Sequence, residues 1–294
     1  MKYLVALLLL PAFLFSQNDS VAKNDTIWKF KGDFSLLVSQ SAFNAEWQNG
    51  GTSNYAANGI INYEILYSKN KWDWDTQILA DYGIAKNKSQ EFLRKTSDRF
   101  EVNSVLGRRI KDSTWYFSAM FNSLTQFDSG YNFSTDENGN EIRTETTRFL
   151  SPGFFKLGLG FLWKKSDNFK VNTAPITARF ITANDRFTTT AGYEDGDFFG
   201  LDQGETLRTE FGASLGAYAK FKLMENVTVE NILNAFSNYL EDPLNVDLDY
   251  TLNLSLTVNK YISTNFTLQA IYDDNAVRGF QIRQVLGVGF NYKF

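Results

Sequence analysis

The sequence predicts an all-β protein: a transmembrane antiparallel up-and-down β-barrel of about 12 strands, with short periplasmic turns and longer extracellular loops. Three observations support this expectation. Segments of about ten to fifteen residues alternate between apolar and polar side chains, short and long connections alternate between the segments, and aromatic residues gather at segment ends. A soluble β-sandwich or eight-stranded calyx is disfavoured, because globular strands average only about five to six residues.

The alternation is clearest between Val246 and Val258, where every second residue is apolar and every residue between is polar. A strand sorts such residues into one apolar and one polar face, whereas a helix would mix them. About twelve such segments are expected. They begin near Trp28, Tyr55, Trp72, Asp98, Thr114, Leu150, Phe169, Glu205, Val227, Val246, Asn265 and Gly279.

One segment departs from the pattern. Between Phe169 and Thr182 the apolar face switches near Thr173 to Pro175. Proline cannot donate a hydrogen bond to a neighbouring strand, and it is tolerated inside a sheet at a bulge. The sequence therefore predicts a β-bulge in this strand.

Connection lengths predict the topology independently. The short turns are Lys69–Lys71, Lys111–Ser113, Lys165–Asp167, Met224–Asn226 and Ser263–Thr264. Longer linkers separate them: 44–54, 86–97, 128–149, 183–204, 240–245 and 274–278. With both termini on the periplasmic side, this alternation gives the even strand number of bacterial barrels. In the linker 128–149, Asn138-Gly139 predicts a hairpin turn at an extracellular loop tip.

The N-terminus predicts export. A basic start, Met1-Lys2, precedes an apolar run from Tyr3 to Phe15 that is too short to span a bilayer as a helix. We expect a signal peptide at 1–16, a short periplasmic tail at 17–27 and the barrel at 28–294. The alternative, an uncleaved anchor, is disfavoured by the length of the run. The expected location is the outer membrane.

Composition limits the chemistry. The chain has 294 residues, no Cys, no His and a formal net charge of −4. Disulfides, thiol nucleophiles, Ser-His-Asp triads and zinc sites with His ligands are excluded. The sequence therefore predicts no enzyme and no catalytic, metal or cofactor site; the remaining enzymatic alternative is an acid-base pair of Glu210 with Glu230. No basic patch indicates a nucleic-acid partner.

The C-terminus ends in alternating apolar residues, with Phe290, Tyr292 and Phe294 on one face. This pattern resembles the β-signal of outer-membrane proteins, and an exposed strand edge of this kind can pair with a template strand. We therefore expect the last strand to bind the outer-membrane insertion machinery. The other expected partners are outer-membrane lipids, and protein partners are unknown.

One region carries a family resemblance. The segment Phe43–Gly51 contains an Asn, a Trp and a Gly-Gly pair before the second strand, and a Trp-rich strand leads to Tyr82-Gly83. These features resemble an uncharacterised family of Bacteroidetes outer-membrane barrels known as a domain of unknown function of the DUF3078 type. In that family the Asn and Trp are usually adjacent, whereas Ala45 and Glu46 separate them here. The resemblance implies the fold and the outer membrane, and it implies no activity.

Charges on the predicted lumen face are the best candidate functional residues. They are Asp33, Glu64, Asp81, Arg99, Glu101, Arg109, Lys156, Arg208, Glu210, Lys220, Glu230, Asp249 and Arg283. Both signs are present, so the pattern suits a hydrated lumen and equally a lumen closed by salt bridges. We expect passive passage of small polar solutes. The alternative is a non-conducting structural or accessory barrel acting through a protein partner, and lipid transport is disfavoured by the polar face.

The loops offer weaker candidates. Trp47 is a candidate contact for a sugar or a partner, although a tight turn with an interface anchor is the favoured interpretation. The acidic stretch Asp136–Glu141 resembles a calcium loop but has Glu141 where the sharp turn needs Gly. A second acidic loop carries Glu194, Asp195, Asp197 and Asp202. Calcium binding by these loops stays open, with a solvated outer loop as the commoner meaning.

Overall fold

A computed structural model describes residues 27–42, 52–111 and 113–294. The predicted signal peptide, nearly all of the predicted tail and Trp47 lie outside the described residues. The barrel strands are β1 (Trp28–Ser41), β2 (Asn54–Lys69), β3 (Trp72–Asn87), β4 (Arg94–Arg109), β5 (Trp115–Thr125), β8 (Gly153–Ser166), β9 (Phe169–Thr182), β10 (Leu207–Met224), β11 (Val227–Asn238), β12 (Val246–Thr257), β13 (Ile262–Asp273) and β14 (Val277–Lys293). A hairpin, β6 (Gly130–Thr135) with β7 (Glu141–Thr147), and a short helix, α1 (Asp185–Thr188), lie in long loops. Among the described residues no helix is long and apolar enough to cross a membrane.

Within the described residues, twelve antiparallel strands close into a barrel in the order β1-β14-β13-β12-β11-β10-β9-β8-β5-β4-β3-β2. The predicted fold is confirmed. Neighbours along the chain pair with one another, except that the β6–β7 hairpin stands outside the wall between β5 and β8. We call the end of the barrel where β1 begins and β14 ends the turn end, and the end with the long connections the loop end.

The closing seam between β1 and β14 has the shortest ladder among the described barrel strands. It runs from Asp33↔Lys293 to Val38↔Val288, whereas the β1–β2 ladder runs along the whole of β1. At the turn end the seam is extended by the terminal residue, because Gly32 N donates to Phe294 O at 2.8 Å and Phe294 N donates to Gly32 O at 2.9 Å. The aromatic residues of the predicted insertion signal therefore lie on the strand that closes the barrel, and their recognition by the insertion machinery stays a prediction.

The predicted bulge in β9 is confirmed. Leu159 faces Ile176 and Phe161 faces Thr173, so two steps on β8 match three on β9; β10 shows the same shift between Gly212 and Ser214. The predicted turn at Ser263–Thr264 is wrong: these residues lie in β13, and the turn is formed by 258–261. Ser263 is buried on the lumen face of β13, and Thr264 lies on the opposite face, where it pairs with Leu256.

The outward face of the barrel is apolar. Leu157, Leu159 and Ile176 are each more than half exposed, and similar side chains recur around the wall. Leaving such an apolar surface in water would cost about 25 cal/mol per Å², and soluble proteins rarely expose large contiguous patches. Aromatic pairs lie at both ends, such as Trp115 with Trp163 at the turn end and Phe211 with Tyr239 at the loop end. The chain is an outer-membrane β-barrel.

The β6–β7 hairpin docks on the loop between β3 and β4. One carboxylate oxygen of Glu141 accepts the backbone N–H groups of Glu91 and Phe92, at 2.9 and 3.1 Å, and the other pairs with Arg94. The guanidinium of Arg94 stacks over the ring of Phe133 at 3.3 Å. The predicted turn at Asn138-Gly139 forms the hairpin tip, so this loop is a folded structure and not a structureless linker.

We expect this docking to weaken in acid. The backbone hydrogen bond from Phe92 and the contacts with Arg94 and Glu91 outweigh desolvation and hold the pKa of Glu141 below its usual 4.5. A depressed folded-state pKa means that the stabilisation is present above 4.5 and is lost as the pH falls through the lowered value. Protection factors for hydrogen exchange at 130–147, which correct for the slowing of intrinsic exchange in acid, should fall over that range in the wild type.

The matched variants separate docking from general acid effects. Glu141→Gln should show lower protection than the wild type already at neutral pH, with no further fall in acid, whereas Glu137→Gln at the exposed hairpin tip should behave as the wild type. Unchanged exchange in Glu141→Gln at neutral pH would contradict the docking role.

A second long loop, between β9 and β10, folds inward at the loop end. Leu201 is fully buried and packs with Ile181 and Ala183, and Phe154, Phe198 and Phe199 pack around them. Ile181 and Phe154 are neighbours on β9 and β8. The loop therefore covers part of the barrel mouth with an apolar cluster.

Candidate functional site

The lumen is polar over most of its length. Buried polar or charged side chains occur on almost every strand of the wall, among them Ser35, Asn58, Asp73, Asp81, Glu101, Asn122, Asn172, Arg179, Glu210, Glu230 and Gln269. They alternate with the lipid-facing residues, as the pleat of each strand requires. Hydrogen bonds and ion pairs between lumen side chains occur in two regions, one nearer the loop end and one nearer the turn end.

A salt bridge spans the whole lumen in the region nearer the loop end. Arg99 on β4 donates through Nη2 to Asp249 on β12 at 2.9 Å, and through Nε and Nη2 to Glu101 at 2.9 and 2.6 Å. In the circular strand order β4 and β12 are six places apart and so face each other across a twelve-strand barrel. We call Arg99, Glu101 and Asp249 the crossbar.

Amide side chains hold the crossbar in place. Gln269 donates to Asp249 Oδ1 at 2.9 Å. Asn103 and Asn122 donate to Glu101 Oε1 at 2.9 and 3.0 Å. Each crossbar carboxylate thus has a neutral donor besides the arginine, which offsets part of the cost of removing its charge from water.

A second charged group lies beside the crossbar. The guanidinium of Arg179 bridges Glu210 and Asp247, and Arg208 donates through Nε to the other oxygen of Glu210 at 2.8 Å. The ring of Phe236, 1% exposed, lies 4.3 Å from Arg179. The lumen at this level is occupied by paired charges packed around an aromatic ring.

On the opposite wall, Arg283 reaches from β14 to β3 and β4. Its Nη2 donates to Asp81 at 2.9 Å, and its Nη1 bonds to Ser97. Asp81 also accepts from Asn58 Nδ2 at 3.0 Å. Arg283 Nε has no hydrogen-bond partner among the described residues, so Asp81 and Ser97 do not saturate this guanidinium.

Nearer the turn end several of the paired side chains are more exposed. Lys170 on β9 pairs with Asp75 on β3 across the lumen. Glu230 accepts from Tyr218 at 2.8 Å and lies 3.4 Å from Lys220. Further along, Arg109 lies 3.7 Å from Asp73. These groups line the lumen between the crossbar and the turn end.

Two cavities lie on either side of the crossbar. The larger, about 350 Å³, opens toward the loop end and is lined in part by Arg99, Gln269 and Arg283. The smaller, about 120 Å³, is lined in part by Asn103, Asn122 and Lys170. Because Arg99 borders the first cavity, and the two amides that hold Glu101 border the second, the crossbar separates them.

The structure brings most of the candidate lumen residues into contact, in the groups Arg99–Glu101–Asp249, Arg208–Glu210, Asp81–Arg283 and Lys220–Glu230. It does not bring Glu210 and Glu230 together: Glu230 lies opposite Lys220, ten residues along β10 from Glu210, or about 33 Å at 3.3 Å per residue. The acid-base pair considered from the sequence is therefore wrong. The role of the candidate lumen residues in lining a pore stays a prediction.

Sequence reasoning missed Arg179, which lies at the centre of the second charged group. The bulge at Ala174 and Pro175 returns Thr177, Arg179 and Ile181 to the lumen side of β9. The predicted bulge could have revealed Arg179, because a bulge switches the face of the strand on which each following residue lies.

The acidic loops use their carboxylates to close turns. Asp136 Oδ1 accepts the backbone N–H groups of Asn138 and Asn140, at 2.9 and 2.7 Å, and hydrogen bonds from Asn140 lower the pKa of Asp136. Asp197 accepts from Glu194 N and Asp195 accepts from Gln203 N. These contacts account for both acidic loops as turn structures.

A third acidic group is formed by Asp247, Asp273 and Asp274, whose carboxylate oxygens lie within 4.8 Å of one another. Arg179 already neutralises Asp247. A cation would therefore compete with a guanidinium that is held in place by Glu210 as well. We assign no metal to this group.

Comparison with known proteins adds one family match. Residues 38–131 match the family model described as "Protein of unknown function (DUF3078)". The predicted resemblance to the DUF3078 type is confirmed over this segment, which runs from the end of β1 into β6 and includes Asp81, Arg99 and Glu101. A Bacteroidetes origin stays a prediction. No curated protein matches the chain.

Solved structures similar to the chain are outer-membrane barrels. The translocator domain of the autotransporter NalP from Neisseria meningitidis is 10% identical with a TM-score of 0.39, over 92% of this chain and 90% of that one. An outer-membrane channel from Pseudomonas putida F1 is 10% identical with a TM-score of 0.39, over 90% and 94%. The NanC porin is 9% identical with a TM-score of 0.37, over 88% and 98%. Since all three scores are below 0.5, we infer nothing further from them.

Proposed function

We propose that the barrel is a narrow channel for the passive passage of small polar solutes, and that the crossbar restricts passage. The observation that supports this is the pair of lumen cavities separated by a single layer of salt bridges. A solute that enters from the loop end meets Arg99 before it can reach the second cavity. Passage therefore requires the bond between Arg99 and Asp249 to open.

The crossbar places charges of both signs beside the path of a solute. Charges that flank a narrow path in low-dielectric walls act strongly on whatever passes. The crossbar and its neighbours carry both signs, since Arg99 and Arg179 stand against Glu101, Asp249 and Glu210. We expect weak ion selectivity and a low conductance for the closed crossbar.

The test is the single-channel conductance of the purified barrel in a planar bilayer. The double variant Arg99→Ser with Asp249→Ser removes the spanning bond while Glu101 keeps its two amide donors. We expect a several-fold higher conductance than in the wild type, because the restriction widens while the strands stay paired.

The matched control removes an ion pair that does not span the lumen. Lys31 and Glu64 lie opposite each other on adjacent strands, with the charged atoms 4.0 Å apart. Lys31→Ser with Glu64→Ser should leave the conductance near that of the wild type. Absence of conductance from both the wild type and the crossbar variant, when both are folded, would favour the accessory barrel acting through a protein partner.

A further inference from the structure

The larger cavity forms a vestibule at the loop end of the lumen. Its volume of about 350 Å³ is at the lower end of the range of small-molecule sites. It lies between β4, β5, β8, β13 and β14, above the crossbar. Its lining residues that matter here are Lys95, Arg99, Leu124, Phe154, Ile271 and Arg283.

The floor of the vestibule is cationic. Arg99 and Arg283 line it, whereas the carboxylates that pair with them, Glu101, Asp249 and Asp81, are not among its lining residues. Lys95 adds a third cation toward the rim, where its Nζ lies 2.7 Å from Asp98, a carboxylate that does line the cavity. The vestibule therefore presents guanidinium groups to an entering molecule and keeps most of the balancing negative charge behind them.

The walls of the vestibule are apolar. Leu124, Phe154 and Ile271 form them, each partly exposed. The ring of Phe154 is fixed by the inward-folded loop, with its centroid 5.7 Å from that of Phe199 in an edge-to-face arrangement. An apolar surface held open above a cationic floor is not required for passage of a sugar or a simple ion.

We propose that the vestibule binds a small amphipathic carboxylate. The carboxylate lies against the guanidinium floor of Arg99 and Arg283, and the apolar body lies against Leu124, Phe154 and Ile271. Guanidinium groups bind carboxylates through paired hydrogen bonds in a low-dielectric site, and the apolar wall favours a hydrocarbon body over water. The claim that this carboxylate is the transported solute rests on the proposed function. The claim that the vestibule binds it does not.

The experiment is isothermal titration calorimetry on the full refolded barrel in detergent. The probe is cyclohexanecarboxylate, which carries both features. Cyclohexylamine reverses the charge, cyclohexylmethanol removes it, and acetate keeps the carboxylate without the apolar body. We expect cyclohexanecarboxylate to bind at least about tenfold more tightly than each of the other three. Against the amine and the alcohol the difference comes from charge-assisted hydrogen bonds, and against acetate it comes from burial of the apolar body. Equal binding of the amine or the alcohol, or no binding of the carboxylate, would overturn the proposal.

Two variants locate the site. Arg283→Gln should weaken binding of the probe, while Asp81 retains its hydrogen bond from Asn58. Lys220→Gln removes a lumen cation near the turn end, outside the vestibule, and should leave binding unchanged. Equal losses in the two variants would show a general charge effect and refute the site. A gel shift on heating establishes that each variant is folded.

The outcomes separate binding from transport. Selective binding of the probe without conductance in the wild type or the crossbar variant would support the vestibule site and refute the channel. Conductance that the probe does not alter, with no binding by calorimetry, would leave the channel standing and overturn the site.

Discussion

Gly160→Ala is expected to prevent the barrel from folding, whereas Gly216→Ala is expected to fold as the wild type does. A Cβ atom at Gly160 would lie 1.9 Å from the carbonyl oxygen of Thr173 and 2.7 Å from the Cα of Ala174. Both contacts are with backbone in the bulge of β9, so no side chain can move aside. We expect a loss of more than about 3 kcal/mol, above the usual cost of overpacking.

Gly216 is the matched control because it also faces the lumen, one strand beyond β9. A Cβ atom there would meet only Asn234 Oδ1, at 3.7 Å. The measurement is the fraction of heat-modifiable protein after refolding into lipid vesicles. Normal folding of Gly160→Ala would mean that the bulge does not approach β8 as closely as the structure shows.

The second large effect is expected at the lipid face. Leu252 lies in the middle of β12 and alternates with Asn253, which faces the lumen and donates to Glu230 at 3.0 Å. Arginine at a lipid-facing position near the bilayer midplane costs roughly 2–4 kcal/mol. Leu252→Arg should therefore destabilise the barrel by about that amount.

Asn253→Arg is expected to cost much less, because a guanidinium at this position can pair with Glu230 inside the lumen. Reversible urea unfolding in lipid vesicles gives the free energy of unfolding for both variants. Equal destabilisation by the two substitutions would contradict the assigned faces of β12.

Most of the wall of the barrel could be predicted from the sequence. Side chains alternate between the two faces of a β-strand. The lipid-facing and lumen-facing residues of the segment Val246–Val258 can therefore be assigned without any tertiary information. The position of a turn is harder to predict where polar residues continue into a strand, as at Ser263 and Thr264. The sequence predicts the bulge at Pro175, but the prediction missed that the bulge turns Arg179 toward the lumen.

The contacts inside the lumen could not be predicted in this way. Arg99 and Asp249 are 150 residues apart, and nothing in either strand by itself says that they meet. Their contact depends on the number of strands that separate β4 from β12 and on the register of every ladder between them. The same holds for Arg283 with Asp81, which are joined only after β1 and β14 close the barrel.

The sequence by itself determined that this protein is a barrel of alternating strands with an apolar outer face and a charged inner one, because that pattern is local and has a period of two. The tertiary structure alone decided that the inner charges form a crossbar with a cavity on each side. Closure brings side chains from opposite walls within reach of one another, and only then do their charges and sizes decide whether the lumen is open or spanned.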